Sequence, residues 1–152
     1  MHIVLVEPEI PSNTGNISRT CAVTGSSLHL VCPLGFSTDD KHLKRAGLDY
    51  WQYLDLHYYD SFADLRQKYP QERFFFATTK ARRYYTQMRY RADDFLVFGK
   101  ETAGLPSELL AANAKQCIRI PMGKDIRSLN LGNSVAIILY EALRQQGFGG
   151  LV

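Results

Sequence analysis

Short apolar runs alternate with polar, glycine-bearing stretches along the whole chain, the pattern of buried strands separated by helices. His2 to Val6 is one such run, ended by Glu7-Pro8, and PSNTGNISR follows at 11–19. A helix is predicted over about 16–24, closed by Gly25. LHLVC at 28–32 is a second β-rich run, stopped by Pro33 and Gly35. DDKHLKRAGL predicts a short basic helix with Asp39 or Asp40 as its cap, and LDLHYY at 54–59 a further strand. Ser61 can cap the helix SFADLRQKY, which Pro70 halts. FFFATT at 74–79 and FLVFG at 95–99 read as buried strands. Leu105 to Ala112 reads as a short helix with Pro106 in its first turn, and CIRIP at 117–121 as the last strand. The strongest helix runs from about Asn130 to Gln146, with Gly147 as its stop.

Strands alternating with helices predict an α/β domain with a largely parallel sheet flanked by helices. With 152 residues, no linker and no repeat, one domain over 1–152 is expected. The last helix places Leu131, Val135, Ile138 and Ala142 on one stripe, yet Ala136, Ile137, Leu139 and Tyr140 are also apolar or aromatic. Little of its middle can face water, and part of that surface suits a subunit interface.

Composition is that of an ordinary globular protein, 45% hydrophobic and 22% charged. The net charge of +3 is small, but its distribution is not even. KHLKR and KARRYYTQMRYR hold 8 of the 18 basic residues and none of the 15 acidic ones. A concentrated positive field of this kind attracts polyanions. Interleaved with tyrosines, the second stretch suits RNA, whose phosphates pair with Lys and Arg and whose unpaired bases stack on flat side chains. The same stretch also reads as a solvated loop or strand. Cys21, Cys32 and Cys117 cannot all pair and form no CxxC, so they are expected as small buried hydrophobes in a reducing, cytoplasmic setting. MHIVLVEP lacks the features of a signal peptide, and VAIILY is far too short for a membrane span.

Several chemistries lack their signatures. There is no GxGxxG, no P-loop and no GxSxG. His2, His29, His42 and His57 are scattered without ligand spacing, so no metal is expected. Three polar loops remain, each after an apolar strand. In NTGNISR, a helix starting near Ser12 or Asn13 puts Asn16 and Arg19 on one face. FLVFGKETAGLP brackets Glu101 with Gly99 and Gly104 at a strand end, where open α/β sheets bind ligands and glycines admit close approach. IPMGKDIRSLNLGNS crowds Ser128, Asn130, Asn133 and Ser134 at one helix start, more capping candidates than one helix uses. Taken singly, each loop also serves as an ordinary cap or turn.

Together, EPEIPSNTGNISRTCAVTG, KRAGLDYW, ATTK, FGKETAGLP and IRIPMGKDIRSLNLGNSVAIILYEALRQ resemble, in order and across essentially the whole chain, the SpoU branch of the SPOUT superfamily of RNA ribose 2′-O-methyltransferases. The resemblance implies a deep C-terminal trefoil knot, a homodimer, and S-adenosylmethionine as cofactor. By position it assigns cofactor contacts to Ala77, Gly99, Gly104, Ile120, Ser128 and Leu129. Catalysis falls on Asn13, Arg19, Glu101, Ser128 and Asn130, and RNA binding on Lys41, Lys44, Arg45, Lys80, Arg82 and Arg83. The implied substrate is the anticodon stem-loop of leucine tRNA, at the ribose of cytidine or modified uridine 34. A non-catalytic RNA-binding dimer, or a methyltransferase of another RNA such as rRNA, are the alternatives. The resemblance makes Arg19 the base, whereas a guanidinium stays protonated and suits contact with ribose or phosphate. The chain departs from close relatives at Lys100 and Ala103, where Pro and Arg are common, and at Gly132, where Ser is frequent.

Overall fold

The computed structural model describes residues 1–37 and 50–152. Its strands are β1 (His2–Val6), β2 (Ser27–Val31), β3 (Leu56–Tyr59), β4 (Phe74–Ala77), β5 (Arg83–Tyr84), β6 (Phe95–Phe98) and β7 (Cys117–Arg119). They form one sheet in the order β3-β2-β1-β6-β4-β7-β5, and every pair is parallel. The described helices are α1 (Pro11–Thr24), α2 (Phe62–Lys68), α3 (Ser107–Ala112) and α4 (Leu131–Gln145). The expected basic helix in DDKHLKRAGL lies outside the described residues.

Buried strands of a parallel sheet read as continuous apolar runs because both faces are covered. Ile3 and Leu5 of β1 join the core formed with Ile17 and Cys21 of α1 and Val135, Ile138, Leu139 and Ala142 of α4. Val4 and Val6 point the other way, into a core of Phe74, Phe76, Phe95, Val97 and Leu65 of α2. Of the apolar residues around α4, Ile137 and Tyr140 remain exposed, as does Val23 of α1. Cys21 and Cys117 are buried and Cys32 is half-buried, all as free thiols; burial pushes the Cys21 thiol up to about 12.

The strands stop earlier than their apolar runs suggest. β4, β6 and β7 end at Ala77, Phe98 and Arg119, and the residues after them turn away as loops. β6 lies between β1 and β4 although it follows both β4 and β5 in the chain, an order compatible with a knotted path. Ser61 caps α2, its hydroxyl oxygen accepting from the Asp64 N–H. Asn130 caps α4 by accepting from Asn133 N–H. α1 differs from expectation. Its N-cap is Ile10, with no side-chain cap, and Pro11 opens the helix where a missing N–H is harmless. Neither Ser12 nor Asn13 caps it, because the helix begins before them.

Candidate active site

The carboxyl ends of β1, β4, β6 and β7 present four loops, and between them lies a cavity of about 450 Å³. Ligands of open parallel sheets bind at this edge. All six positions expected to touch a cofactor line the cavity: Ala77, Gly99, Gly104, Ile120, Ser128 and Leu129. Asn13, Glu101 and Asn130 line it too, so residues from the first tenth, the middle and the last quarter of the chain meet there.

A hydrogen-bonded row joins three of them. Glu101 Oε1 accepts from Asn13 Nδ2 at 3.0 Å, and Asn13 Oδ1 accepts from Asn130 Nδ2 at 3.0 Å. The Glu101 carboxylate also accepts the backbone N–H groups of Glu9 (2.8 Å) and Ile10 (3.2 Å). It therefore does from a distant loop what a local cap would have done, placing a negative group at the start of α1 where the helix dipole favours it. Asn13 is freed from capping and buried, with its amide committed in both directions.

The clamp is reciprocal. Glu9 accepts from the Thr102 hydroxyl and from the Thr102 N–H, bonds that hold its carboxyl below the usual range. Lys100 Nζ pairs with Glu7 Oε2 at 2.7 Å, and Glu7 itself sits at φ +51 at the end of β1. The Lys100 charge is thus engaged within the protein.

Gly99 and Gly104 serve this loop differently from the expectation of close ligand approach. A Cβ on Gly99 would overlap the backbone of Gly104 and Leu105, so what approaches closely is the chain itself. Gly104 adopts φ +69, and its N–H closes the loop onto Lys100 O at 2.8 Å.

Arg19 stands apart. On α1 the exposed positions are Ser12, Asn16, Arg19 and Val23, whereas Asn13 faces inward. Six residues along a helix is about 9 Å and one and two-thirds turns, so Asn13 and Arg19 point about a third of a turn apart and do not share a face. The Arg19 guanidinium lies 4.7 Å from the Tyr50 ring centroid and donates to the Tyr50 hydroxyl at 3.1 Å, outside the cavity lining. The basic-aromatic stretch is also divided. Lys80 lines the cavity, but Arg82 does not, and Arg83 on the edge strand β5 donates to Lys115 O. Lys41, Lys44 and Arg45 lie outside the described residues.

Sequence reasoning missed Glu9, Tyr50 and Arg119 as participants, and it noted Lys100 only as a departure, without its Glu7 partner. Arg119 lines the cavity with a buried Nε that has no hydrogen-bond partner. No spacing signals these residues, since their partners arrive from other strands.

The site suits a nucleoside-bearing cofactor. Its volume falls in the roughly 300–1,000 Å³ of small-molecule pockets. Phe98, Leu105, Ile118 and Ile120 supply apolar walls. Among the described residues, Ile126 N–H to Gly123 O is the one backbone hydrogen bond within 122–129, and Ser128 and Leu129, which line the cavity, make none. Among the described residues no group of His, Cys, Asp and Glu is arranged to hold a metal, and no helix is long and apolar enough to cross a membrane.

Comparison with known proteins agrees with this geometry. The model of the SpoU rRNA Methylase family matches residues 1–140. The tRNA (cytidine(34)-2′-O)-methyltransferase of Escherichia coli strain K12 is 50% identical, covering 100% of this chain and 98% of the relative. Its namesake from Yersinia pestis is 51% identical, covering 99% and 96%. A solved structure described as giving insight into the 2-OH methylation of C/U34 on tRNA superposes with a TM-score of 0.92 and 44% identity, covering 96% of this chain and 95% of that chain. An AdoMet-bound rRNA methyltransferase from Sinorhizobium meliloti superposes with a TM-score of 0.83 and 26% identity, covering 94% and 55%.

Proposed function

Because the chain belongs to the SpoU rRNA methylase family, we propose that it is an S-adenosylmethionine-dependent tRNA 2′-O-methyltransferase acting on the wobble ribose, cytidine or modified uridine 34, of leucine tRNAs. The observation that carries this reading is the single cavity in which the cofactor positions Ala77, Gly99, Ile120, Ser128 and Leu129 meet the polar row Glu101–Asn13–Asn130. Relatives of 50% identity and more, over nearly their full length, are named for that reaction.

When bound, S-adenosylmethionine supplies an electrophilic sulfonium methyl. The task left to the protein is alignment, together with help for a ribose hydroxyl that is a poor nucleophile at neutral pH. The backbone of Ser128 and Leu129 and that at Gly99 and Ile120 hold the cofactor. Asn13 and Asn130 are fixed by their mutual bond and orient the ribose. Glu101 keeps its carboxylate on three N–H donors, so it positions the start of α1 rather than serving as a free base. Arg19, always protonated, contacts the reacting ribose or the adjacent phosphate and stabilises charge there. Like Arg19, the apolar residues Val23, Ile137 and Tyr140 are exposed, and we assign them to a homodimer contact. Lys80 at the cavity wall and the basic segment 41–45 bind the anticodon stem-loop. The protein acts in the cytoplasm as one domain over 1–152.

The test is methyl transfer from labelled cofactor to total tRNA, with mapping of the modified nucleoside. Label at the ribose of nucleotide 34 is expected, and Arg19→Ala should abolish turnover while sparing cofactor binding. Folded protein that methylates no tRNA would favour the non-catalytic RNA-binding dimer, and label confined to rRNA would move the substrate.

A further inference from the structure

A second cavity, of about 350 Å³, opens at the other edge of the sheet. Phe74 and Phe75 at the start of β4 line it, whereas Ala77 at the end of the same strand lines the first cavity. Four cations surround it, Arg66, Arg73, Arg83 and Lys115, against one carboxylate, Glu72. Arg73 is spent within the protein, its Nε and Nη2 both donating to Asp94. The other three make no ion pair among the described residues. Two of them are nevertheless held in place. The Arg66 guanidinium lies 4.2 Å from the Phe74 ring centroid, and Arg83 Nη1 donates to Lys115 O at 3.3 Å. Like charges gathered round one cleft repel each other, focus the field there, and concentrate whatever anion can enter.

We propose that this cavity is a second phosphate site and grips the sugar-phosphate backbone of the tRNA whose ribose enters the first. The inference rests on the tRNA-methyltransferase reading above and gives that substrate a contact away from the reacting nucleotide. The chain itself marks the path between the two cavities. Lys80 lines the first, Arg83 lines the second, and exposed Arg82 lies between them in sequence. β5 is the last strand of the sheet on this side, so no further strand obstructs a backbone passing along it. β7 beside it has three residues, so at about 3.3 Å per residue the sheet is only about 10 Å deep here. A short length of RNA backbone therefore reaches from one cavity to the other. Arg83 and Lys115 are exposed, and a polymer meets them without entering a closed site. Guanidinium groups match phosphate oxygens with paired N–H bonds, and such contacts fix register and affinity without reading sequence.

The test compares Lys115→Gln and Arg66→Gln with Lys68→Gln, which removes the same charge from α2 at a residue lining neither cavity. Binding of full-length tRNA is titrated over a series of salt concentrations. Each of the first two substitutions should weaken binding about three- to tenfold and lower the slope of log affinity against log salt by about one. Lys68→Gln should change neither. In methyl transfer the loss should fall on KM for tRNA rather than on kcat. Titration with S-adenosylhomocysteine, expected to be alike in all four proteins, reports that they are folded. Lys115 is exposed, so its variant decides the matter even where loss of the Arg66–Phe74 contact unfolds the other. Equal weakening by Lys68→Gln would reduce the effect to net charge and overturn the proposal, as would tRNA affinity and slope unchanged in Lys115→Gln. Variants that lose binding of pyrophosphate but keep tRNA would give the cavity to a small anion and overturn it too. Wild-type protein that binds no tRNA would overturn the tRNA reading itself, a result separable from every outcome confined to the variants.

Discussion

The two ends of the sheet handle buried polar groups in opposite ways. Across β1, β2 and β3, on the α2 side, His2, His29 and His57 come together. His2 Nδ1 and His29 Nε2 are 3.0 Å apart, His29 Nδ1 is 3.2 Å from the Tyr59 hydroxyl, and His57 Nε2 is 2.9 Å from Asp55 Oδ1. The rings stack on one another and on Phe95, and each ring of the row finds a neighbour within it. At the carboxyl ends the polar groups reach instead for the backbone of other loops and enclose a cavity that Lys80 and Arg127 line without an ion pair among the described residues. A polar cluster closed on itself is architecture. One with unspent donors around a void is a site, and only the second invites a ligand.

The largest effect should come from Gly99→Ala. Its new methyl would push the backbone of Gly104 and Leu105 out of place, costing about 3 kcal/mol and abolishing cofactor binding. Thermal unfolding together with calorimetric titration reads both quantities. If stability drops but binding survives, the carboxyl end tolerates disorder as well as the closed end does, and the contrast fails.

Next, Glu101→Gln should cost about 2 kcal/mol in chemical denaturation, because charge-assisted bonds to two amides and an Asn become neutral ones. Methyl transfer should fall more steeply than affinity for the cofactor, since what loosens is Asn13. Equal losses in both would make Glu101 a cofactor contact rather than a positioning residue.

The smallest effect belongs to the histidine row. Desolvation by burial, with lesser help from His2 and His57, holds His29 down to about 3 against an ordinary 6.5. The folded protein thus keeps the ring neutral while the unfolded chain takes up a proton as pH falls past 6.5. Stability from this group is complete above about 6.5 and drains away toward 3. Denaturation curves between pH 6.5 and 5, above the range of ordinary carboxylates, should lose up to about 1.4 kcal/mol per pH unit. Asp55 and Lys68 also face His29 and act in opposite directions. His29→Gln should flatten the slope, and a slope that persists would assign the effect elsewhere.

These contrasts also explain what the sequence could tell. Strand positions were legible because a parallel sheet buries both faces, so β1, β4 and β6 read as apolar runs with one polar boundary each. Ser61 was legible as a cap, and Asn130 as one of four candidates, because a cap binds an amide two or three residues away. The start of α1 was not, since its capping group is Glu101, some ninety residues downstream. Gly99 was legible as a position of close approach, but only the closed loop shows that the Gly104 backbone is what lies against it. The four histidines looked scattered, yet the pairing of Val4 with His29 and His29 with His57 sets three of them side by side. Asn16 and Arg19, expected on one face of α1, are both exposed there, whereas Asn13, which the resemblance groups with Arg19, faces inward. What periodicity cannot encode is which strand and which loop lie beside which, and the cap of α1 and the histidine row depend on that.

The mutual grip of Glu101 on the 9–10 backbone and of Glu9 on Thr102 has a consequence in time. The ribosome delivers the acceptor for the first helix only after two-thirds of the chain has been made. At about 5–20 residues per second, the amides of Glu9 and Ile10 wait several seconds for their carboxylate. Until then the opening of α1 has water for company, and the pocket has only the loops after β1 and β4. The catalytic edge is therefore among the last parts of the molecule to be born, although its first residue is among the earliest translated.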